Sequence, residues 1–456
     1  MIELSPDRIA SAAGAEIVAR GGGGRPERAV ADSREIRGGE LFVGLRGEHA
    51  DGGEFAAEAL AAGAWGVLVS PQRARGLGDD GGRGWVLSAP DPLRALQGVA
   101  RAWRRELACP VVGITGSTGK TSVKDICRAM LPLRVHASPE NYNTEVGLPL
   151  AVLGAPPETQ ALVLEMAMRG RGQIAELCEI AEPDVAAITN VGPVHLERLG
   201  TLEAIAEAKA EILTGLRERG TAVIPEDAEA LEPHVHERLR TVSFGPGGDV
   251  SAHRSAVEGR SMIASINTPG GSQDFRFPFM EAHNLLNALA AVAIGVALDA
   301  PVSAMAELAP QIVFSRLRGE VLEAGDVVIV NDCYNANPIS MRAALDHLAA
   351  MDVRGRRIAV LGEMLELGPD APLYHREVGA HARDLGIGPI VGVGELARHY
   401  APDGWVPDAR SAISPVERLL QAGDAVLVKG SRSVGLELLT DELLARLPAR
   451  ARSQGS

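Results

Sequence analysis

Val111-Val-Gly-Ile-Thr-Gly-Ser-Thr-Gly-Lys-Thr-Ser122 decides how this chain folds. Its first five residues are apolar and largely β-branched, the composition of a buried strand, and a helix pattern starts at Lys120. Between them, Gly116 and Gly119 let backbone N–H groups crowd round phosphate oxygens, and the helix N-terminus adds a positive field. In such a loop Lys120 reaches the outer phosphates and the Thr121 hydroxyl can ligate magnesium. The strict pattern G-x-x-x-x-G-K-[ST] fails at its first glycine, where Ile114 stands between Gly113 and Gly116. A plain glycine turn is the alternative.

Working outward, strands are expected at 161–165, 185–189 and 222–224 with helix patterns between them, as in a parallel sheet covered on both faces. A period-2 stretch at 261–279 suggests an antiparallel extension, and a helix over 283–298 follows. Upstream, strands at 40–45 and 65–69 alternate with helices at 54–62 and 92–107, and a Gly/Arg/Asp-rich stretch at 73–83 reads as a surface loop. Downstream, strands at 327–330, 357–361, 390–393 and 425–428 alternate with helices, which argues a doubly wound sheet. The expected class is α/β in three domains: an N-terminal α/β domain (1–108), a central phosphate-loop domain with a parallel sheet (109–313) and a C-terminal Rossmann-like domain (314–456). A length of 456 residues agrees with that number, at roughly 150 residues per domain.

Composition removes several functional classes. With 46% hydrophobic and 23% charged residues the chain is globular. A net charge of −14 argues against nucleic acid or anionic lipid as a bulk partner. The apolar run 285–298 is broken by Asn287 and too short to span a bilayer, and the first residues carry no secretory signal, so stable membrane insertion is not expected. Cys109, Cys127, Cys178 and Cys333 lie far apart and read as thiols of a reducing cytoplasm.

Of 45 basic residues only Lys120, Lys124, Lys209 and Lys429 are lysines. An ammonium can shed its proton and become a nucleophile, which a guanidinium effectively cannot do, so each remaining lysine invites a reason. Lys124 reads as a solvated side chain one helical turn beyond Lys120. Glu165 ends a strand, where α/β sheets place their sites, and a carboxylate there can hold a hard cation against phosphates. His195 follows the next strand; by itself it is either a ligand or polar surface. Lys209 lies on a helix pattern at 202–213 among Ala204, Ala206, Ala208 and Ala210, which leave room for close approach. A deprotonated lysine there could react with carbon dioxide, and the resulting carbamate would turn a cation into an anionic ligand for magnesium.

Thr115-Gly116-Ser117-Thr118-Gly119-Lys120-Thr121, Ser122, Glu165, His195 and Lys209 at this spacing resemble the Mur ligase family of ATP-dependent amide-forming enzymes. The resemblance implies ATP and Mg2+ as cofactors, with Lys120 catalytic and Thr121, Glu165, His195 and carbamylated Lys209 as metal ligands. His283-Asn-Leu-Leu-Asn287 is similar to the family's HNxxN element, which implies adenine contact by Asn284, with Asn287 and Arg316 also at the nucleotide. Asp32-Ser33-Arg34, the 39–43 segment, Gly47-Glu48 and Asp51-Gly52 match the UDP-sugar domain, so Ser33 and Arg34 would face the diphosphate. Asn141-Tyr-Asn-Thr144 resembles the substrate loop, implying Asn143 and Thr144 beside the same substrate.

Asp332-Cys-Tyr-Asn-Ala-Asn-Pro338 with Ser340-Met341 is similar to the branch that adds a dipeptide, which implies Asp332, Tyr334, Asn335 and Asn337 as its binding group. Residues 361–368 and 428–433 match two more C-terminal elements. The implied activity is ligation of D-alanyl-D-alanine to UDP-N-acetylmuramoyl-tripeptide through an acyl phosphate, by a cytoplasmic monomer serving the cell wall, cell shape and division. Departures stand at Ala167 and Ser315, where the family commonly has glycine. The rivals are a sibling ligase that adds a single amino acid or glutamate to a folate, and a phosphate-loop ATPase that ligates nothing.

Overall fold

The computed structural model describes residues 2–47, 50–77, 84–139, 141–237 and 239–447. Glu48, positions 78–83 of the expected surface loop and the polar C-terminal tail lie outside the described residues.

Three sheet systems follow one another along the chain. In the first, strands Glu16–Ala19, Trp85–Ser88, Gly66–Val69, Leu41–Val43 and Ala29–Val30 lie side by side in that order, with only the first pair antiparallel. The second is a six-stranded parallel sheet in the order Arg240–Phe244, Thr221–Pro225, Val185–Ile188, Val111–Thr115, Ala161–Glu165, Val135–Ala137. The third runs Glu320–Ala324, Val327–Asn331, Ala425–Lys429, Arg357–Gly362, Ile390–Val393, Gly404–Val406, again parallel except for its first pair.

The central sheet positions the site. Val111–Thr115 sits between Ala161–Glu165 and Val185–Ile188, all three strands fully buried, as a sheet covered on both faces requires. Their adjacent carboxyl ends carry the phosphate loop, Glu165 and Thr189-Asn190. One face is covered by helices Lys120–Met130 and Ala282–Ala297, packed through Val123, Ile126 and Met130 against Ala288 to Ile294. The antiparallel stretch expected at 261–279 is a separate three-stranded sheet, Ser251–Glu258, Ser261–Thr268 and Gly271–Phe277, whose apolar side joins that same core.

Helix Pro92–Leu107 joins the first two units. Asp91 caps it by accepting from the Leu93 and Arg94 N–H groups, and Pro92 occupies its first turn. From its buried face the Trp103 indole donates to the Ala155 carbonyl at 3.0 Å, and Arg104 donates to the Ala181 and Glu182 carbonyls and to the Asp184 carboxylate. One apolar cluster accordingly runs from Ile2 into the central unit as far as Leu231. All four cysteines are buried free thiols.

Candidate active site

The phosphate loop needs its glycines for close approach. Gly116 has φ +150°, and a Cβ there would lie 1.9 Å from the Thr189 hydroxyl oxygen. Gly119, at φ +78°, faces the Asn287 amide, where a Cβ would come within 2.4 Å of Oδ1. Asn287 is thereby brought against the loop, and its Nδ2 donates to Asn284 Oδ1 at 3.1 Å. Lys120 folds back over the loop and donates to the Gly116 carbonyl at 2.6 Å. Asn190, which the sequence reading left without a role, fastens the turn: its Oδ1 accepts from the Ser117 and Thr118 N–H groups at 3.0 and 2.9 Å. Ser117 bonds Gly192, Ser122 stays half-buried in the first helical turn, and the buried Thr115 hydroxyl has no partner among the described residues.

A continuous hydrogen-bonded row crosses the site. Arg318 Nη2 donates to Thr121 Oγ1 at 3.1 Å, Thr121 donates to Glu165 Oε2 at 2.9 Å, and Asn143 Nδ2 donates to Glu165 Oε1 at 2.9 Å. Ser138 takes the Glu165 N–H, holding the strand end in place. The row joins the C-terminal unit, the phosphate loop, the buried carboxylate and the substrate loop. A carboxylate beside a hydroxyl is an oxygen-only donor pair, the chemistry a hard cation such as Mg2+ requires. Arg316, expected at the nucleotide, is exposed and has no hydrogen bond or ion pair among the described residues. Arg318, two residues on, reaches the loop instead, with its guanidinium carbon 3.9 Å from the Tyr334 ring centroid. The two arginines lie in the turn before strand Glu320–Ala324, and Leu317 between them holds φ +64°, so strand alternation does not set their directions.

None of the four lysines is exposed. Lys124 is not solvated as expected: it is buried, with its ammonium 3.0 Å from the buried Asp125 carboxylate, whose other oxygen accepts from Ser315 N and Oγ. Lys209 is 2% exposed on helix Leu202–Thr214, and among the described residues no carboxylate pairs with it. Burial, reinforced by the like charge of Lys120, pushes its ammonium well below the ordinary lysine range. Lys120 is lowered too, by desolvation first, with Glu165 opposing and Arg318 adding to the shift.

His195 turns towards the C-terminal unit, where its Nδ1 meets the Glu366 carboxylate. Among the described residues no three His, Cys, Asp or Glu side chains gather closely enough to hold a metal, so Glu165 and His195 do not share a ready-made cluster. Among the described residues the Nε2 nitrogen of His195 makes no hydrogen bond.

The Asn-rich turn after strand Val327–Asn331 is organised by Lys429, at 1% exposure, whose ammonium donates to the Asp332 carboxylate at 2.6 Å and to the Asn335 carbonyl at 3.0 Å. Asn337 caps helix Pro338–Ala350 in a reciprocal box with Ser340, so its side chain is engaged structurally. Asn335 Oδ1 accepts from the Ala336 N–H. Across the domain contact His347 lies 3.3 Å from Glu281, both nearly buried. In the N-terminal unit, Ser33 and Arg34 form a 3-10 turn capped by Asp32, with Arg34 exposed and paired to that same carboxylate. Thr144 caps the turn into helix Gly147–Leu153.

Comparison with known proteins agrees with this geometry. Residues 114–295 match the Mur ligase middle domain and residues 317–432 match the Mur ligase glutamate ligase domain. The UDP-N-acetylmuramoyl-tripeptide–D-alanyl-D-alanine ligase of Bacillus subtilis is 33% identical over 426 residues, covering 91% of this chain and 92% of that protein. A crystal structure of MurF from Acinetobacter baumannii superposes with a TM-score of 0.83 at 29% identity, over 92% of this chain and 93% of that one. MurF ligase from Thermotoga maritima in complex with ADP gives 0.79 at 30% identity, over 94% and 98%. A phosphate loop and a strand-end carboxylate at one sheet, with a buried lysine on a helix packed against it, in a chain of this likeness, mean that the protein belongs to the Mur ligase family.

Proposed function

We propose that this chain joins D-alanyl-D-alanine to UDP-N-acetylmuramoyl-tripeptide at the expense of ATP, a step of peptidoglycan precursor synthesis. Through that product it would serve cell shape and division from the cytoplasm, and we take it to act as a monomer. Among the described residues no helix is long and apolar enough to cross a membrane. The observation that carries the reading is the row Arg318–Thr121–Glu165–Asn143, because it links the nucleotide loop to the loop expected to hold the peptide. Residues 1–108 would hold the UDP end through Ser33 and Arg34, 109–313 the ATP, and 314–456 the dipeptide beside Asp332, Tyr334 and Asn335.

The chemistry follows from these positions. The terminal carboxylate of the tripeptide attacks the γ-phosphorus, the bond to the bridging oxygen breaks, and ADP leaves with an acyl phosphate formed. The amine of the dipeptide then attacks the activated carbonyl and expels phosphate, losing one proton as the amide forms. Lys120 and Arg318 stabilise charge that spreads over the transferring phosphoryl group, and Asn284, held by Asn287 beside the phosphate loop, orients the base. Thr121 and Glu165 would hold Mg2+ that neutralises the phosphate oxygens, with His195 as a metal ligand outside that pair. Lys209, desolvated and without an ion pair among the described residues, is suited to add to carbon dioxide and lose a proton, and the carbamate would serve as an anionic ligand for a second magnesium. Thr115 to Ser122 wrap the phosphates, and water is excluded as the units close.

A product assay tests the reading. With ATP, the UDP-tripeptide and D-alanyl-D-alanine, mass spectrometry should find one new species equal to the two substrates joined less one water. A product carrying a single added amino acid instead would favour a sibling ligase.

A further inference from the structure

The contact between His195 and Glu366 brings two units together in a way no ordinary surface pair does. Both residues hold left-handed backbone, φ +54° at His195 and +62° at Glu366, which costs about 1–3 kcal/mol each and persists only where surroundings enforce it. The backbones also meet: Glu197 N–H donates to the Glu366 carbonyl at 3.4 Å, and a Cβ on Gly368 would lie 3.3 Å from Glu197 Cα. The Glu366 loop is itself fixed. Met364 N–H donates to the fully buried His375 Nε2 at 3.0 Å, and Leu365 N–H donates to Ser431 Oγ at 3.0 Å. Ser431 N–H returns to the Glu363 carbonyl at 2.9 Å, which explains why the 361–368 and 428–433 segments belong together.

An ionised carboxylate can only accept, so in the neutral imidazole of His195 this contact assigns the ring proton to Nδ1 and the lone pair to Nε2. Metal-binding histidines are commonly held by a carboxylate in this manner, which fixes the tautomer and raises ligand basicity. We infer that Glu366 is a positioning residue for His195, supplied by the C-terminal unit, so that the metal-facing nitrogen of the central unit is aimed only when the two are docked. The inference rests on His195 being a metal ligand, as proposed above.

Mn2+ affinity in the full-length protein with a non-hydrolysable ATP analogue, read by electron paramagnetic resonance, tests this without turnover. Glu366→Ala should weaken Mn2+ about 10–100-fold, whereas Glu366→Gln, which keeps an acceptor oxygen, should lose much less. In a His195→Ala background the Glu366→Ala change should add nothing. Unchanged affinity in Glu366→Ala, or an undiminished loss in the double variant, overturns the inference while leaving His195 as a ligand. Unchanged affinity in His195→Ala removes the ligand assignment and the inference with it.

Discussion

Replacing Lys209 by methionine should stabilise the protein while abolishing ligation. The side chain is 2% exposed and no carboxylate neutralises it among the described residues. Because burial and Lys120 hold its folded-state pKa well below the unfolded one, the unfolded chain binds the extra proton at neutral pH. The stability associated with Lys209 is therefore present above the ordinary lysine value and is lost as pH falls towards the depressed one. Methionine fills a similar volume without charge, and by analogy with buried ion pairs replaced by apolar residues the exchange gains about 1–4 kcal/mol. For a unit the size of the central domain that is a Tm rise of roughly 2–16 °C, at about 2–4 °C per kcal/mol. Scanning fluorimetry in CO2-free buffer at pH 7 and pH 9.5 measures it, and the gap between variant and parent should narrow at the higher pH. An unchanged or lower Tm at pH 7, or ligation surviving in the variant, would refute the reasoning.

Arg318→Ala should cut ATP turnover by at least ten-fold, whereas Arg316→Ala should stay within about three-fold of the parent, because only Arg318 touches Thr121; equal effects in steady-state assays would contradict the assignment. Lys429→Met removes the cation that gathers the Asp332 carboxylate and the Asn335 carbonyl, so KM for D-alanyl-D-alanine should rise at least ten-fold with ATP affinity little changed. Kinetics with each substrate varied would expose the opposite pattern. Gly116→Ala places a methyl into Thr189 at a backbone angle alanine avoids and should abolish nucleotide binding by calorimetry; retained binding would show that the loop can relax.

The parallel sheets were legible because buried strands such as Ala161–Glu165 and Ile390–Val393 are short apolar runs bounded by turn residues. Short edge strands such as Val135–Ala137 and Gly404–Val406 carry half-exposed, mixed side chains and left no such trace. The helix expected at 54–62 opens instead with a 3-10 turn at Gly52–Phe55, since Asp51 bonds the Gly53 N–H and tightens the entry. Within the site, Lys209 was legible from lysine scarcity and its alanine neighbours, and the phosphate loop from its glycines. The same scarcity pointed to Lys429, but its partner Asp332 lies 97 residues away and only the sheet order joins them. Glu366 and His195 are 171 positions apart, so their meeting belongs to the docking of two units and to no local pattern. The burial of Lys124 escapes the helix pattern because its partner Asp125 is held by Ser315, 190 positions away.

Phosphate release measured with each component omitted in turn tests the ligase chemistry most directly. Rapid release is expected only when ATP, the UDP-tripeptide and D-alanyl-D-alanine are present together, with Mg2+ in the buffer. Equal release from ATP alone, indifferent to both the carboxylate and the amine, would make this chain an ATPase that ligates nothing.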